Sequence, residues 1–478
     1  MLKEKVISSV KWNTIATIYS IVVQVLRLVI LTRLLEKSDF GIVAIAVMVI
    51  SFTEIFSDLG ITVALIHKQD ITESQYSSVF WLNIFSSIFL YIVVCVLTPV
   101  IADVYSEDVL LYIIPLLSVQ ILLSAVGKMF QTIKTKELEF RFLSIVKIVS
   151  HTFGLLLTIV LAVAGCGVFS IVWGQLLQVA INQTCYLVAG RKDHAISLHF
   201  DIKEIQDILR IGAFQLGARI MDVLASKVDV LLIGKFFGME DLGVYNLAKE
   251  LILRPLQIIQ QLVNNVASAA FAKIQTNYQA VQQHFSFLLK SVASLSFPIY
   301  MCAFIFAEPI IEVMYSSKFI DAAFFLRVLS LYGMFNSLMS ISSTLLTSYG
   351  KTNIAFYMTI VSAILSILVV VIASNFTIKS VAYGQAFVAF VSYFIYWKFA
   401  VNTTTKMGLL KFINAISTPL LVTLLTSLPF LFLFILLNIP TLFKLILIIA
   451  FAAFYSLIYY IVAPAFSKDI MRAILKKK

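Results

Sequence analysis

Residues 12–50 read WNTIATIYSIVVQVLRLVILTRLLEKSDFGIVAIAVMVI, and this stretch decides the fold. Two apolar runs, one over 12–35 and one starting at 40, are separated only by the polar turn Glu36-Lys37-Ser38-Asp39. Each run is near the ~20 residues a helix needs to cross about 30 Å of hydrocarbon, so the pair reads as a transmembrane helical hairpin. The same texture recurs to Pro464. Of 478 residues, 60% are hydrophobic and only 13% charged, with a mean hydropathy of +0.98. A soluble chain carries roughly 25% charged residues; here there is too little polar material to cover a water-facing surface. Secreted disulfide scaffolds, ordinary soluble enzymes and nucleic-acid binders are excluded, despite a net charge of +11.

Working outward from the hairpin, fourteen spans are expected: 12–35, 40–66, 77–102, 109–133, 142–165, 168–190, 208–234, 242–272, 285–307, 322–348, 353–374, 379–400, 411–437 and 442–463. With the N-terminus inside, 23 Lys and Arg fall on cytoplasmic segments and 6 on the opposite loops (Arg33, Lys37, Lys235, Lys318, Lys379 and Lys444). This is the asymmetry of the positive-inside rule. It predicts a multi-pass protein of the cytoplasmic membrane with both termini in the cytoplasm. The run from Trp12 is too long for a cleavable signal. Cys95, Cys166, Cys185 and Cys302 show no metal-ligand spacing and read as packing residues.

The hairpin also repeats. A shift of 202 residues lays Arg33-Leu34-Leu35 on Lys235-Phe236-Phe237, and Asp39-Phe40-Gly41-Ile42 on Asp241-Leu242-Gly243-Val244. A shift of 210 lays Ser170-Ile171-Val172-Trp173-Gly174-Gln175 on Ser380-Val381-Ala382-Tyr383-Gly384-Gln385. Spans 1–6 thus correspond to spans 7–12. An even number of spans per repeat puts the relating axis along the membrane normal. The expected organisation is an N-lobe over 1–190, a cytoplasmic linker over 191–207 with an amphipathic helix (Ile202, Ile205 and Ile208/Leu209 on one face), a C-lobe over 208–400, and two further helices with a basic tail over 401–478.

Charges inside spans carry the functional reading. Span 1 has Asn13, Thr17, Ser20, Gln24 and Arg27 on one helical face, and span 7 has Gln215, Arg219, Asp222, Ser226 and Asp229 at the equivalent positions. Span 8 is the most polar, with Lys249, Glu250, Arg254, Gln257, Gln260 and Gln261; span 2 adds Glu54 and Asp58, and span 10 adds Arg327. A charge at mid-span costs roughly 2.5–3.5 kcal/mol in lipid even on lenient scales, so these faces line water or protein. Arg27, Lys128, Arg219, Lys227, Lys249, Arg254 and Arg327 are counted as in-span cations. A cation-lined vestibule attracts anions, and the planar arginine fork suits phosphate. Glu250 and Arg254, four residues apart, also read as a simple intrahelical pair. Lys128 reads as a snorkelling residue and His151 as a packing one. No Walker A loop, His-Glu-x-x-His motif or cysteine pair is present, so the chain is expected not to be an enzyme and to need no cofactor, its energy coming from an ion gradient, by proton or sodium coupling, or from the substrate's own gradient.

Phe56-Ser57-Asp58-Leu59-Gly60-Ile61, Phe80-Trp81-Leu82-Asn83, Val228-Asp229-Val230-Leu231-Leu232-Ile233-Gly234 and Gly243-Val244-Tyr245-Asn246-Leu247-Ala248 together resemble the colanic-acid and O-antigen exporters among bacterial polysaccharide transporters. Two departures from that pattern stand out: no proline precedes Asp39-Phe40-Gly41, and Ser268-Ala269-Ala270-Phe271 has alanine where proline is usual. The resemblance implies membership of the multidrug/oligosaccharidyl-lipid/polysaccharide flippases, all-α membrane proteins whose two six-helix lobes form a V. It implies flipping of undecaprenyl-diphosphate-linked oligosaccharide, with a polysaccharide polymerase and glycosyltransferases as partners. Arg219, Arg254, Arg27, Arg327 and Lys249 are then expected to hold the diphosphate headgroup. Asp229, Asp222, Glu54, Asp58 and Glu250 are expected to gate or to couple ions. A cation-coupled multidrug exporter of the same architecture is the competing reading, and the cationic excess argues against it.

Overall fold

The computed structural model describes residues 2–58, 65, 71–194, 196–274, 278–436 and 441–464. Among them are fourteen helices of nine residues or more: α1 (Leu2–Leu34), α2 (Lys37–Asp58), α3 (Glu73–Tyr105), α4 (Leu110–Lys136), α5 (Phe140–Val163), α6 (Phe169–Asp193), α7 (Gln206–Ile274), α8 (Tyr278–Ile305), α9 (Ala307–Tyr315), α10 (Ala322–Ser348), α11 (Thr352–Ser374), α12 (Ile378–Tyr396), α13 (Leu409–Leu436) and α14 (Thr441–Val462). The all-α membrane fold is as the sequence predicts. Over the described residues each expected span falls on a helix, with spans 7 and 8 forming the two segments of α7; 59–64 and 66 of span 2 and 437 of span 13 lie outside them. Gly238 divides them with φ 86° and ψ 176°, a conformation a residue with a Cβ rarely adopts.

Among the described residues, ten helices are long and apolar enough to cross a bilayer, and Ile446–Val462 is a shorter apolar one. The remaining expected spans are α6 and both segments of α7. Their sequences are the more polar ones: glutamines and asparagines along α6, charges and amides along α7. A helix that cannot face lipid all round must be partnered by protein or water.

Two compact units emerge, Met1–Gly243 and Val244–Lys478. In the first, α5 and α6 pack so closely that Gly154 and Gly174 leave no space for side chains: a Cβ on Gly174 would strike Thr158 and the carbonyl of Gly154. Gln175 donates to Gln120 Oε1 at 3.1 Å. In the second unit the repeat-related glycine does the same work, since a Cβ on Gly384 of α12 would lie 2.9 Å from Val369 of α11. Its neighbour Gln385 donates to Ser366 at 3.4 Å. The two appended helices close the second unit: the Tyr455 hydroxyl of α14 donates to the Ser294 carbonyl of α8 at 3.0 Å, and Phe430 and Phe451 pack on one another 5.4 Å apart.

The linker differs from its expected form. Instead of a surface amphipathic helix, residues 196–202 run as a strap along the start of α3, followed by a single 3-10 turn, Lys203–Ile205, that leads straight into α7. Trp81 donates to the Ser197 carbonyl at 3.0 Å, Ser77 accepts from Ser197 N–H at 3.0 Å, and Ser78 accepts from Asp201 N–H at 3.0 Å. Ile205 is fully buried with Val79, Phe130, Val146 and Tyr186, whereas Ile202 is exposed. The isoleucine spacing therefore reflects one core anchor followed by the start of α7. Cys166, expected to pack, is exposed in the turn between α5 and α6. Trp81→Ala should release the strap: trypsin cleavage after Lys203 is expected to quicken at least severalfold with α3 itself intact, and unchanged cleavage would show that the tryptophan does not hold it.

Candidate functional site

In the first unit, the polar stripe of α1 faces away from lipid. Its exposed apolar residues, Ile15, Ile18, Val22 and Leu26, form one face, while Ala16, Ser20 and Val23 on the stripe side are buried. Arg27 lies on that stripe and is partly buried. On the first segment of α7, Asp222 and Ser226 are exposed and Asp229 is completely buried, its Oδ1 accepting from the N–H of Val230 at 2.9 Å. An exposed carboxylate at mid-span lines water and not hydrocarbon. Glu54 of α2 is exposed too. The side chains of Arg219, Gln215 and Asp58 lie outside the described residues.

At the turn between α1 and α2, the two copies of the repeat meet. A Cβ on Gly41 would strike the carbonyl oxygen of Met239, and one on Gly243 would strike the carbonyl oxygen of Lys37. The shift of 202 converts Lys37 into Met239 and Gly41 into Gly243, so this contact is its own image when the repeats are exchanged. That is the self-complementary geometry of a two-fold interface, written within one chain. Phe40 and its counterpart Leu242 are both buried beside it, and Lys37 pairs with Glu240 at 3.5 Å. The Glu36 N–H donates to Asp39 Oδ2 at 3.0 Å and fixes the start of α2.

In the second unit, Arg254 is bound to Glu250 one turn earlier, the intrahelical pair that the spacing allows. Lys249 is buried, 8% exposed, on the same segment. Two fully buried tyrosines brace that segment from other helices: Tyr315 donates to the Leu247 carbonyl at 3.2 Å and Tyr300 to the Ile252 carbonyl at 3.3 Å. Pro255 lacks an N–H and weakens the helix there, so such outside donors stiffen a stretch whose own ladder is broken. Arg327 of α10 pairs with Glu308 of α9 at 2.7 Å. The sequence reading missed Glu308 because it assigned no role to the short helix that carries it. Gln257 and Gln261 are exposed, Gln260 partly so.

Removing Arg254 alone strands Glu250 inside a span, while replacing both residues by glutamine strands nothing. Arg254→Ala is expected to lower stability by about 2 kcal/mol more than the Glu250→Gln, Arg254→Gln double variant. Thermal unfolding of the purified protein reads the difference, and equal melting temperatures would contradict it.

Residues 30–324, more than half of the chain, match the family described as "Polysaccharide biosynthesis protein". The teichuronic acid biosynthesis protein TuaB of Bacillus subtilis (strain 168) is 28% identical over 425 residues, spanning 88% of this chain and 87% of that protein. The lipopolysaccharide biosynthesis protein WzxC of Escherichia coli (strain K12) is 25% identical over 374 residues, spanning 78% and 76%. Among solved structures, lipid II flippase MurJ in an inward closed conformation matches with a TM-score of 0.77 and 16% identity, over 96% of this chain and 99% of that one. At that identity the likeness shows the fold.

Proposed function

This chain belongs to the polysaccharide biosynthesis protein family, and from that premise we propose that it flips a lipid-linked oligosaccharide across the cytoplasmic membrane by alternating access. The observation that carries the reading is the polarity of the helices that cannot face lipid. In one unit Arg27, Glu54, Asp222 and Asp229, and in the other Lys249, Glu250, Arg254 and Arg327, stand within long helices of a fold made otherwise of apolar ones. A sugar and a diphosphate need such a surface to cross hydrocarbon, and the isoprenoid chain does not. The cargo we propose is undecaprenyl-diphosphate-linked, an exopolysaccharide or O-antigen repeat unit. Arg254, Arg27, Arg327, Lys249 and Arg219 hold the headgroup through charge-assisted hydrogen bonds.

The lobes proposed for this cycle are 1–190 and 208–400, with both termini cytoplasmic. Under that topology the Gly41–Gly243 contact lies at the outer end, where it closes the path in one state. Asp229, Asp222, Glu54, Asp58 and Glu250 serve gating or ion coupling, with a proton or sodium ion as the coupling species. The chain works as a transporter and not as a catalyst, and a polymerase and glycosyltransferases supply and use its cargo. Reconstitution tests this directly. Vesicles holding the protein and a fluorescent polyprenyl-diphosphate oligosaccharide are expected to expose the glycan to an outside lectin, faster than protein-free vesicles. Export of organic cations with no movement of the glycan lipid would replace this reading with the multidrug one.

A further inference from the structure

Lys147, not among the seven in-span cations named from the sequence, lies seven residues inside α5, about 10 Å along the helix axis. The exposed stripe of α5 (Ile145, Val149, Phe153, Leu156 and Val160) is wholly apolar and marks the lipid side. Lys147 is on the other side, in line with His151, Gly154 and Thr158, the residues that meet α6. There His151 Nδ1 donates to the Lys147 carbonyl at 2.8 Å and turns Nε2 toward the Gln178 amide nitrogen, 3.5 Å away. Helices α5 and α6 run antiparallel, so one turn back along α5 and one turn on along α6 brings Lys147 level with Asn182.

Asn182 is the second observation. Its Oδ1 is buried with no hydrogen-bond partner. An unsatisfied amide level with an in-span cation on the facing helix is costly in a low-dielectric setting. The amide's two ends are interchangeable by rotation about its last bond, so Asn182 offers either a donor or an acceptor. An ammonium with three donors and an amide with two more describe a receptor for an anionic oxygen.

The surroundings give it a direction. Tyr19 of α1 lies 2.6 Å from Thr152 of α5, and the Arg141 guanidinium stacks 5.6 Å over Trp12, so α1 and α5 run parallel in register. Arg141 stands at the start of α5, Lys147 about 9 Å further in, and Arg27 deeper still, two turns beyond Tyr19 on α1.

We propose that Lys147 and Asn182 form a phosphate subsite inside the first unit, through which the cargo's diphosphate passes between Arg141 and Arg27. This rests on the flippase reading and adds to it a station that the polar stripes of α1 and α7 do not include.

The probes are farnesyl diphosphate and, as the uncharged arm, farnesol, titrated against the full-length protein in nanodiscs. Wild type is expected to bind the diphosphate in preference to the alcohol. Lys147→Gln should weaken diphosphate binding about tenfold or more, the loss of one charge-assisted hydrogen bond, and leave farnesol unchanged. Lys147→Arg should restore most of it, and Asn182→Ala should weaken it by a smaller factor. Undiminished diphosphate binding by Lys147→Gln overturns the subsite and leaves the flippase reading standing. A wild type that binds both probes alike overturns the subsite and the diphosphate cargo together. If Lys147→Gln lowers the unliganded melting temperature and Lys147→Arg rescues neither stability nor binding, the lysine is structural and the subsite is wrong.

Discussion

Alanine at Gly41 or Gly243 is expected to abolish glycan export while the protein still reaches the membrane in normal amount. Each Cβ would be driven into a backbone carbonyl of the other repeat, Met239 for one and Lys37 for the other, and a carbonyl in a helix start cannot rotate aside as a side chain can. Overpacking costs about 1–3 kcal/mol where side chains can yield, and here the obstacle is main chain. The state in which α2 meets the residues after Gly238 would lose that much relative to states in which they separate. A bias of this size is enough to invert a conformational equilibrium. Because the contact maps onto itself under the 202-residue shift, the two single variants should fail alike. Gly408→Ala is the control, since nothing lies near its Cβ position. Export is read as surface glycan at matched protein levels, and normal export by Gly41→Ala would show that the close approach is dispensable.

Charge reversal at Arg27 and Asp229 is the second large effect. The two residues occupy equivalent depths on repeat-related stripes, and Asp229 is 0% exposed. Asp229→Arg would place a guanidinium where a carboxylate now accepts the Val230 N–H, and breaking a buried charge arrangement costs about 3–5 kcal/mol. Each single reversal is expected to stop export. If the pair works as a gate, Arg27→Asp combined with Asp229→Arg recovers part of the lost activity. A double variant no better than either single variant assigns Arg27 to anion binding and Asp229 to ion coupling instead.

Much of the architecture was legible in the sequence because lipid imposes one period and one length on every span. The repeat was legible for a related reason: Asp-x-Gly at a span start and Gly-Gln near another recur at nearly constant shifts. What the repeat could not convey was that its two glycines touch each other, since that contact joins residues about 200 apart and has no local signature. Glu308 escaped as the partner of Arg327 because the two are joined through a short helix and a turn, outside any helical spacing. Lys147 escaped because a boundary at 142 made it look peripheral; only the register against α6 shows its neighbours. The linker was misread because a three-residue spacing of isoleucines suits both an amphipathic helix and a strap with one buried anchor.

The polarity of α7 bears on how the chain is made. A segment holding Arg219, Asp222, Lys227 and Asp229 cannot partition from the translocon into lipid by itself, since each central charge costs roughly 2.5–3.5 kcal/mol on the insertion scale. Helices α1 to α5 have no such difficulty. Biogenesis must therefore be sequential: the early apolar helices enter first and form a proteinaceous wall, and the first segment of α7 is admitted against them. The boundary between the compact units at Gly243, beyond that segment, is where such an order of synthesis would leave it. A nascent chain released between α6 and Gly238 would lack a needed partner for its own walls, and membrane quality control would meet it there.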